Sequence, residues 1–278
     1  MRALAIVLCV VIGACATARP RCALVTYAQP RDAVFAWRVQ RVGAPGTVIL
    51  YGTIHTATLS DVPVEALRAL DGVTRFASEL GDVEPDPGVI LDLARLPFGQ
   101  VLDQLLPADD WWELETAMRG AIKPDDLKRA RPWFALIRLM ARVAPAPKPS
   151  MDVALATRAR TRGVPVDPLE TWQDQMTALD ASVTIADLSG AIRARHTFAC
   201  SQTNLLASYA ARDTPRLTQL LRVGDASLIA KRNATWLPRL EQYVAQDGTT
   251  FVAVGLGHLL GDDGLPAMLA RAGYTITR

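Results

Sequence analysis

The sequence has little that would point to most of the common protein classes. It has only three histidines and four cysteines in 278 residues, and its 30 Lys and Arg nearly balance its 28 Asp and Glu. A charge so close to neutral argues against a dedicated nucleic-acid-binding protein, which normally carries a concentrated basic surface. We therefore expect no nucleic-acid partner. Four cysteines are too few for a small disulfide-stabilised scaffold, and a hydrophobic content of 50% excludes a disordered chain.

Several familiar catalytic motifs are also missing. The chain has no glycine-rich phosphate loop, no G-x-S-x-G nucleophile elbow and no H-E-x-x-H zinc motif. Any catalytic centre must therefore be built from residues that come together from distant parts of the chain.

Long hydrophobic runs are absent except at the N-terminus. Ala3–Ile12 is an unbroken apolar run of ten residues, which is too short for a membrane-spanning helix of about 20 residues but fits a secretory signal. It leads into Gly13-Ala14-Cys15, which resembles a bacterial lipoprotein cleavage site with lipid on the cysteine. Ordinary signal cleavage near Ala16-Thr17-Ala18 is the alternative.

From this pattern we expect a signal peptide at residues 1–14, a short tether at 15–31 and one domain at 32–278. Lipid on Cys15 would anchor the protein at the bacterial cell envelope, on the outer membrane and facing the periplasm. In that oxidising compartment Cys22 and Cys200 either form a disulfide or stay unpaired, and the sequence leaves both alternatives open.

Apolar runs predict strands near both ends of the domain and helices between them. The predicted strands are Val34–Val39, Thr47–Tyr51, Val73–Leu80, Val164–Asp167, Thr249–Val254 and Tyr274–Thr277. Asp109–Val143 has helical spacing and ends at a proline-rich break. Strands that alternate with helices predict an α/β fold with one mixed sheet built from the N- and C-terminal strands. The helices at about residues 100–150 would form a central insertion or cap.

Two of the three histidines share one setting. An apolar strand leads into Gly52-Thr53-Ile54-His55, and another leads into Gly255-Leu256-Gly257-His258. Each glycine lets the backbone turn, so that the histidine lies near the carboxyl end of its strand. In open α/β sheets this is the edge where ligands bind. Glu79 lies near the end of a third predicted strand, and Glu170 lies just beyond a fourth.

These residues form a candidate site whose chemistry has three interpretations. His55, His258 and Glu79 are typical ligands of a divalent ion, such as Mn, Co or Zn, that keeps an open position for water. The same residues, with Glu170, also suit metal-free acid–base catalysis in which a carboxylate orients a histidine. The third interpretation is two unrelated structural histidines. The remaining histidine, His196, lies in a basic helical stretch and is not predicted to be a ligand.

Two further basic features have alternative interpretations. Arg232 either binds a substrate carboxylate or stabilises an oxyanion, or else it is buried and holds Glu170 or Asp152 in place. A basic helical stretch is either a solvated helix face or a membrane-surface contact. Its members are Lys128, Arg129, Arg131, Arg138 and Arg142.

Several of these segments together resemble the TraB/GumN family. They are Tyr51–His55, Ser78-Glu79-Leu80, Met151-Asp152, Leu169-Glu170-Thr171, Arg232-Asn233 with Trp236, Val254–Gly261 and Asp263-Gly264-Leu265. They follow one collinear order over about residues 33–278. The family is similar to the Tiki metalloproteases and, more distantly, to the erythromycin esterases and the ChaN-like haem-binding proteins.

The resemblance implies a function and a set of site residues. Similarity to Tiki implies a metal-dependent, protease-like hydrolase whose metal is held by His55, Glu79 and His258. Similarity to the esterases implies instead a metal-free base at His55, but those proteins carry a glutamate after the first glycine, where this sequence has Thr53. We expect metal-assisted hydrolysis of a peptide or another amide or ester bond. In this reaction His55, His258 and Glu79 hold the metal or activate the water, and Arg232 or Glu170 orients the substrate.

Two other functions remain as alternatives. The first is a non-catalytic envelope protein that binds a peptide signal, haem or a metal in the same cleft. The second is a metal-free, esterase-like hydrolase.

Overall fold

The computed structural model describes residues 22–81, 86–221 and 226–278. The predicted signal peptide, Cys15 and the alternative cleavage site lie outside the described residues. Within these three ranges, none of the helices combines the length and the apolar composition that crossing a bilayer needs.

One six-stranded mixed sheet forms the centre of the fold. Its strands are β1 (Ala36–Gln40), β2 (Gly46–Thr53), β3 (Arg75–Ser78), β4 (Val166–Pro168), β5 (Gly248–Gly255) and β6 (Thr275–Thr277). Their order in the sheet is β4-β3-β5-β2-β1-β6. The neighbours from β4 to β2 are parallel, whereas β1 is antiparallel to both β2 and β6. The predicted α/β class, with a sheet built from strands near both ends of the domain, is confirmed.

Helices pack around this sheet, and most of them lie in the long connections from β3 to β4 and from β4 to β5. They are α1 (Val64–Asp71), α2 (Pro87–Leu93), α3 (Leu102–Leu105), α4 (Ala108–Met118), α5 (Pro124–Lys128), α6 (Pro132–Val143), α7 (Met151–Thr161), α8 (Trp172–Ser182), α9 (Ile185–Ala194), α10 (Phe198–Ala210), α11 (Thr214–Leu221), α12 (Ala226–Ala245) and α13 (Leu265–Arg271).

The two central strands are almost entirely buried. In β5, Phe251–Val254 has no exposed side chain, and in β2 only Thr47 is partly exposed. Continuous apolar runs of this kind are typical of parallel strands that are covered on both faces. The Phe251 ring stacks on Phe76 of β3 at a centroid distance of 6.0 Å. The buried side chains of β2, β3 and β5 belong to one core. The strand β1, which lies between β2 and β6, alternates instead, with Trp37 and Val39 buried and Arg38 exposed.

The central helices form a second hydrophobic core away from the sheet. Leu102, Leu114, Leu127 and Leu139, from α3 to α6, pack with Leu188 of α9. The helical segment predicted over Asp109–Val143 is divided into three helices. Gly120 adopts a positive φ of 78° just after α4, and prolines occupy the first positions of α5 and α6, where proline favours the start of a helix.

The described part of the predicted tether does not project from the domain. Cys22 forms a disulfide with Cys200 in α10, with a Cα–Cα distance of 6.1 Å. The buried Asn204 donates from Nδ2 to the Ala23 carbonyl at 2.8 Å and accepts the Val25 N–H at 2.9 Å. Within the predicted tether over residues 15–31, the part from Cys22 onwards is therefore fastened along α10 by a covalent bond and by hydrogen bonds to its backbone, and the bounds of the tether stay a prediction.

Candidate functional site

The parallel strands bring four predicted site residues to one edge of the sheet. His55 follows β2, His258 ends a single helical turn after β5, and Glu79 follows β3 directly. Glu170 follows β4, and its N–H donates to the Glu79 carbonyl at 3.0 Å. The residues at the carboxyl ends of these strands therefore meet although they come from distant parts of the chain, as the sequence predicts.

Gly255, at the end of β5, lies between the two histidines. Its N–H donates to Glu79 Oε1 at 2.8 Å. A Cβ atom at this position would lie 3.2 Å from Glu79 Oε1, 3.8 Å from His258 Cδ2 and 3.9 Å from His55 Nε2. The missing side chain thus leaves room beside a carboxylate and two imidazole rings, which converge on one point.

Arg232 of α12 connects the two glutamates with one histidine. Its Nη2 donates to Glu79 Oε2 at 2.6 Å and also to Glu170 Oε1, and its Nε donates to Glu170 Oε2 at 3.1 Å. Its Nη1 lies 3.1 Å from His258 Nε2. The guanidinium also packs over the ring of Trp236, one turn further along α12, at 4.8 Å. The structure therefore places Arg232 against Glu170, as one of the two sequence interpretations expects.

The two glutamates respond differently to this environment. Burial by itself would raise the pKa of Glu79, but His258, Arg232, His55 and the Gly255 N–H hold the pKa at about 2, so this side chain is a carboxylate at neutral pH. For Glu170 burial dominates and its pKa is raised, although it accepts hydrogen bonds from Arg232 and from Trp236 Nε1.

His258 is a buried histidine with a defined tautomer. Asn233 donates both of its Nδ2 protons, to the carbonyls of His258 at 3.1 Å and Asp263 at 2.9 Å. Its Oδ1 therefore accepts from His258 Nδ1 at 2.7 Å. The lone pair of His258 Nε2 then faces Arg232, and burial lowers the pKa of His258 to about 4. This histidine is accordingly neutral, and neither ring nitrogen is left for another partner.

His55 has the opposite environment. Its side chain is 69% exposed, and its Nδ1 lies 2.7 Å from Asp152 Oδ2, near the start of α7. The other oxygen of Asp152 accepts from the Thr53 hydroxyl. The charge of Asp152 raises the pKa of His55 to about 9. The Nε2 atom of His55 has no hydrogen-bond partner among the described residues.

A cavity of about 480 Å³ opens beside this pair. Its floor contains His55, Glu79 and Asp152, and α7 and the first turn of α8 form its walls. From the α8 side, Gln175 Nε2 donates to Glu79 Oε2 at 3.1 Å. His55 therefore lines a space that is large enough for part of a small molecule or peptide.

Sequence reasoning missed two features of this site. Asp152 entered only as part of the Met151-Asp152 segment, and no role was assigned to it beyond a pairing with Arg232 that the structure does not contain. Asn233 was noted beside Arg232 but not as the partner of His258. The available signal was the position of Asp152 in the first turn of a helix after a proline-rich break. It was not sufficient, because Asp152 reaches the sheet edge only if this helix docks there.

The predicted metal ligands do not fit a divalent ion in this arrangement. Arg232 takes up the Nε2 of His258 and one oxygen of Glu79, and His258 directs a carbon towards the space at Gly255. Over the described ranges, no group of three or more His, Cys, Asp or Glu side chains has an arrangement that could hold a metal ion. A guanidinium thus takes up the contacts of Glu79 and His258 that a cation would need, and the metal stays a prediction.

The fold and this polar centre define an α/β protein with a candidate site at the carboxyl edge of its parallel strands. The model of the TraB/PrgY/gumN family matches residues 35–278. The chain therefore belongs to the TraB/PrgY/gumN family, which confirms the resemblance found in the motifs. Searches of curated proteins and of solved structures found no match to this chain.

Proposed function

We propose that this protein is a hydrolase of amide or ester bonds in which His55 activates a water molecule. The observation that carries the proposal is the His55–Asp152 pair, both of whose residues line a cavity of about 480 Å³. A histidine oriented by a carboxylate and open to a ligand space is a typical arrangement for general acid–base catalysis.

The proton transfers follow from the hydrogen bonds of this pair. In neutral His55, Nδ1 keeps its proton and donates a hydrogen bond to Asp152, which leaves a lone pair on Nε2 that can accept a proton. Nε2 takes a proton from water as the water oxygen attacks the carbonyl carbon. The imidazolium then gives this proton to the leaving nitrogen or oxygen. Asp152 stays ionised throughout and is held by the Thr53 hydroxyl.

The remaining polar residues act on the geometry of the site. Arg232 uses its Nε proton, both Nη2 protons and one Nη1 proton on Glu79, Glu170 and His258. These contacts favour a role for Arg232 and Glu170 in positioning the other site residues. The sequence had predicted that one of them orients the substrate. Glu79 is a charged residue of the cavity floor, and hydrogen bonds from Gly255 and Gln175 hold its carboxylate in place.

A metal-dependent hydrolase is the second candidate. It is favoured by the convergence of His55, Glu79 and His258 around Gly255. It requires His258 Nε2 to exchange Arg232 for the metal. Mn, Co and Zn remain the ions to test.

We also propose that the protein is anchored at the bacterial cell envelope, by lipid on Cys15, and faces the periplasm. The apolar run Ala3–Ile12 and the small residues before Cys15 support a lipoprotein signal. The Cys22–Cys200 disulfide supports an oxidising compartment.

A cleavage assay on the purified chain tests the hydrolase proposal. We expect hydrolysis within a panel of peptides and chromogenic esters, which His55→Ala abolishes and His196→Ala, at the histidine outside the site, leaves intact. Activity that survives a chelator supports the His55 mechanism, and activity that a chelator abolishes and Mn, Co or Zn restores selects the metal-dependent candidate. Binding of a peptide or haem with no turnover would overturn both in favour of a binding protein.

A further inference from the structure

The helix α6 exposes apolar side chains on the side away from its core. Trp133, Ala135 and Leu139 are buried, whereas Ile137 and Met140 are 42% and 49% exposed. Ile137 and Met140 are three residues apart and therefore adjacent on the helix surface. A surface helix normally places polar residues at such positions, so this face differs from an ordinary solvated one.

Unpaired positive charge borders these apolar side chains. Arg138 and Arg142 are exposed and four residues apart, and neither has an ion pair within the part of the chain that the structure describes. Lys128 and Arg131, from the same basic stretch, are instead paired with Asp103 and Asp180. The stretch is thus divided: Lys128 and Arg131 are paired, whereas Arg138 and Arg142 are two arginines on α6 without an ion pair among the described residues.

The charged side chains of α6 and of the segment that follows it have one sign. From Pro132 to Met151 the chain contains Arg138, Arg142 and Lys148 and no Asp or Glu. Lys148 is exposed as well. A partner that matches this surface must combine negative charge with an apolar layer, which is the chemistry of an anionic lipid surface.

The N-terminal segment joins the domain next to α6. The disulfide ties Cys22 to Cys200 in the first turn of α10, and α10 and the turn Arg195–Thr197 before it pack against α6. The backbone between Cys15 and Cys22 can extend over at most about 25 Å. A membrane that holds the proposed lipid on Cys15 therefore lies within about this distance of Cys22, which is fastened beside α6.

We propose that the α6 face, formed by Ile137, Arg138, Met140 and Arg142, docks on an anionic lipid surface. Ile137 and Met140 enter the headgroup layer, and the two arginines contact lipid phosphates. The contact orients the domain on the membrane that the N-terminal segment reaches. This inference rests on the proposed envelope location and not on the proposed hydrolysis, so a protein that cleaves nothing can still bind lipid in this way.

Vesicle binding by the full chain tests the proposal. The variant Met140→Ser/Arg142→Glu should bind vesicles of phosphatidylcholine with phosphatidylglycerol about tenfold more weakly than the wild type. Both proteins should bind pure phosphatidylcholine equally. The matched control is Val64→Ser/Arg68→Glu on α1, where an exposed valine and an exposed arginine lie one turn apart, and it should leave binding unchanged. All variants retain residues 1–21, so the contribution of that segment is the same in each.

Three outcomes would overturn the proposal. They are unchanged binding of the α6 variant, an equal loss in the α1 control, and wild-type binding to anionic vesicles that salt does not weaken. A concentration-dependent dimer that the α6 variant abolishes would show that a second copy covers this face instead of lipid. If the α6 variant melts at a lower temperature, the charge-only variant Arg138→Gln/Arg142→Gln replaces it and must show the same selective loss on anionic vesicles.

Discussion

Asp152 accepts a hydrogen bond from His55 at 2.7 Å, although 97 residues separate the two in the sequence. The helix α7 carries the carboxylate to the end of β2, where Thr53 binds its second oxygen. This pair gives the exposed histidine a fixed tautomer, whereas the buried His258 is fixed by Asn233. The two histidines that share a motif in the sequence therefore have different chemical properties in the fold.

Replacing Asp152 should reduce catalysis much more than stability. Asp152→Asn removes the charge that orients His55 and stabilises its imidazolium, so we expect kcat/KM to fall by about 10²–10⁴-fold. Steady-state kinetics with the best substrate of the panel measures this fall, and Asp92→Asn, at an exposed carboxylate of α2, is the control. An unchanged kcat/KM in Asp152→Asn would contradict the proposed role of the pair.

The rate should rise with pH as His55 loses its proton. Because Asp152 raises the pKa of His55 to about 9, the reactive neutral form accumulates as the pH approaches that value. Asp152→Asn should move the midpoint down towards the ordinary histidine pKa of about 6.5. A pH–rate profile together with an NMR titration of His55 checks both midpoints. A rate that falls as pH rises through 9 would identify His55 as a general acid instead of a base.

Removing Arg232 should destabilise the fold. Arg232→Ala leaves Glu79 and Glu170 buried without their cation, and breaking a buried ion pair in this way costs about 3–5 kcal/mol. The control Arg239→Ala lies two turns further along α12 on an exposed side chain and should cost less than about 1 kcal/mol. Denaturant unfolding measures the two free energies. Equal values would mean that the guanidinium does not hold the glutamates together.

The contact between α4 and α9 should make the free energy of unfolding depend on pH in the acid range. Buried Asp110 accepts from Arg193 Nε at 2.9 Å and Nη2 at 2.7 Å, and also from Ser189. The hydrogen bonds from Arg193 lower the pKa of Asp110. Its stabilisation is therefore complete above the ordinary aspartate pKa of about 3.9 and is lost as the pH falls through the lowered value. Asp110→Asn should cost about 1–3 kcal/mol at neutral pH and flatten the acid limb.

Unfolding curves from neutral pH to about pH 3 check this prediction, because the difference between the wild type and Asp110→Asn should shrink on acidification. A difference that stays constant over this range would assign the effect to packing and not to the charge of Asp110.

The strands were predictable because the core imposes a simple pattern on them. Phe251–Val254 and Val48–Tyr51 are apolar without interruption, since both faces of β5 and β2 are covered. The helical division within 109–143 was not predicted, because apolar spacing continues across Gly120 and Pro124. At those positions backbone geometry decides where a helix stops.

The meeting of the two histidines followed from the sequence, since parallel strands end at one edge of a sheet. The partner of each histidine did not follow. Asp152 reaches His55 only because α7 docks beside β3, and Arg232 reaches His258 only because α12 lies beside β2. Such contacts depend on how helices pack, and neither periodicity nor motif spacing records that packing.

The pairing of β2 with β5 also sets when the centre can form during synthesis. These neighbours lie about two hundred residues apart in the chain. A nascent polypeptide that stops before β5 carries His55 of the site but neither the Gly255 amide nor the buried His258 imidazole beside Arg232. The complete polar centre therefore forms only after β5 and the turn that follows it have been synthesised, and fragments released earlier lack it.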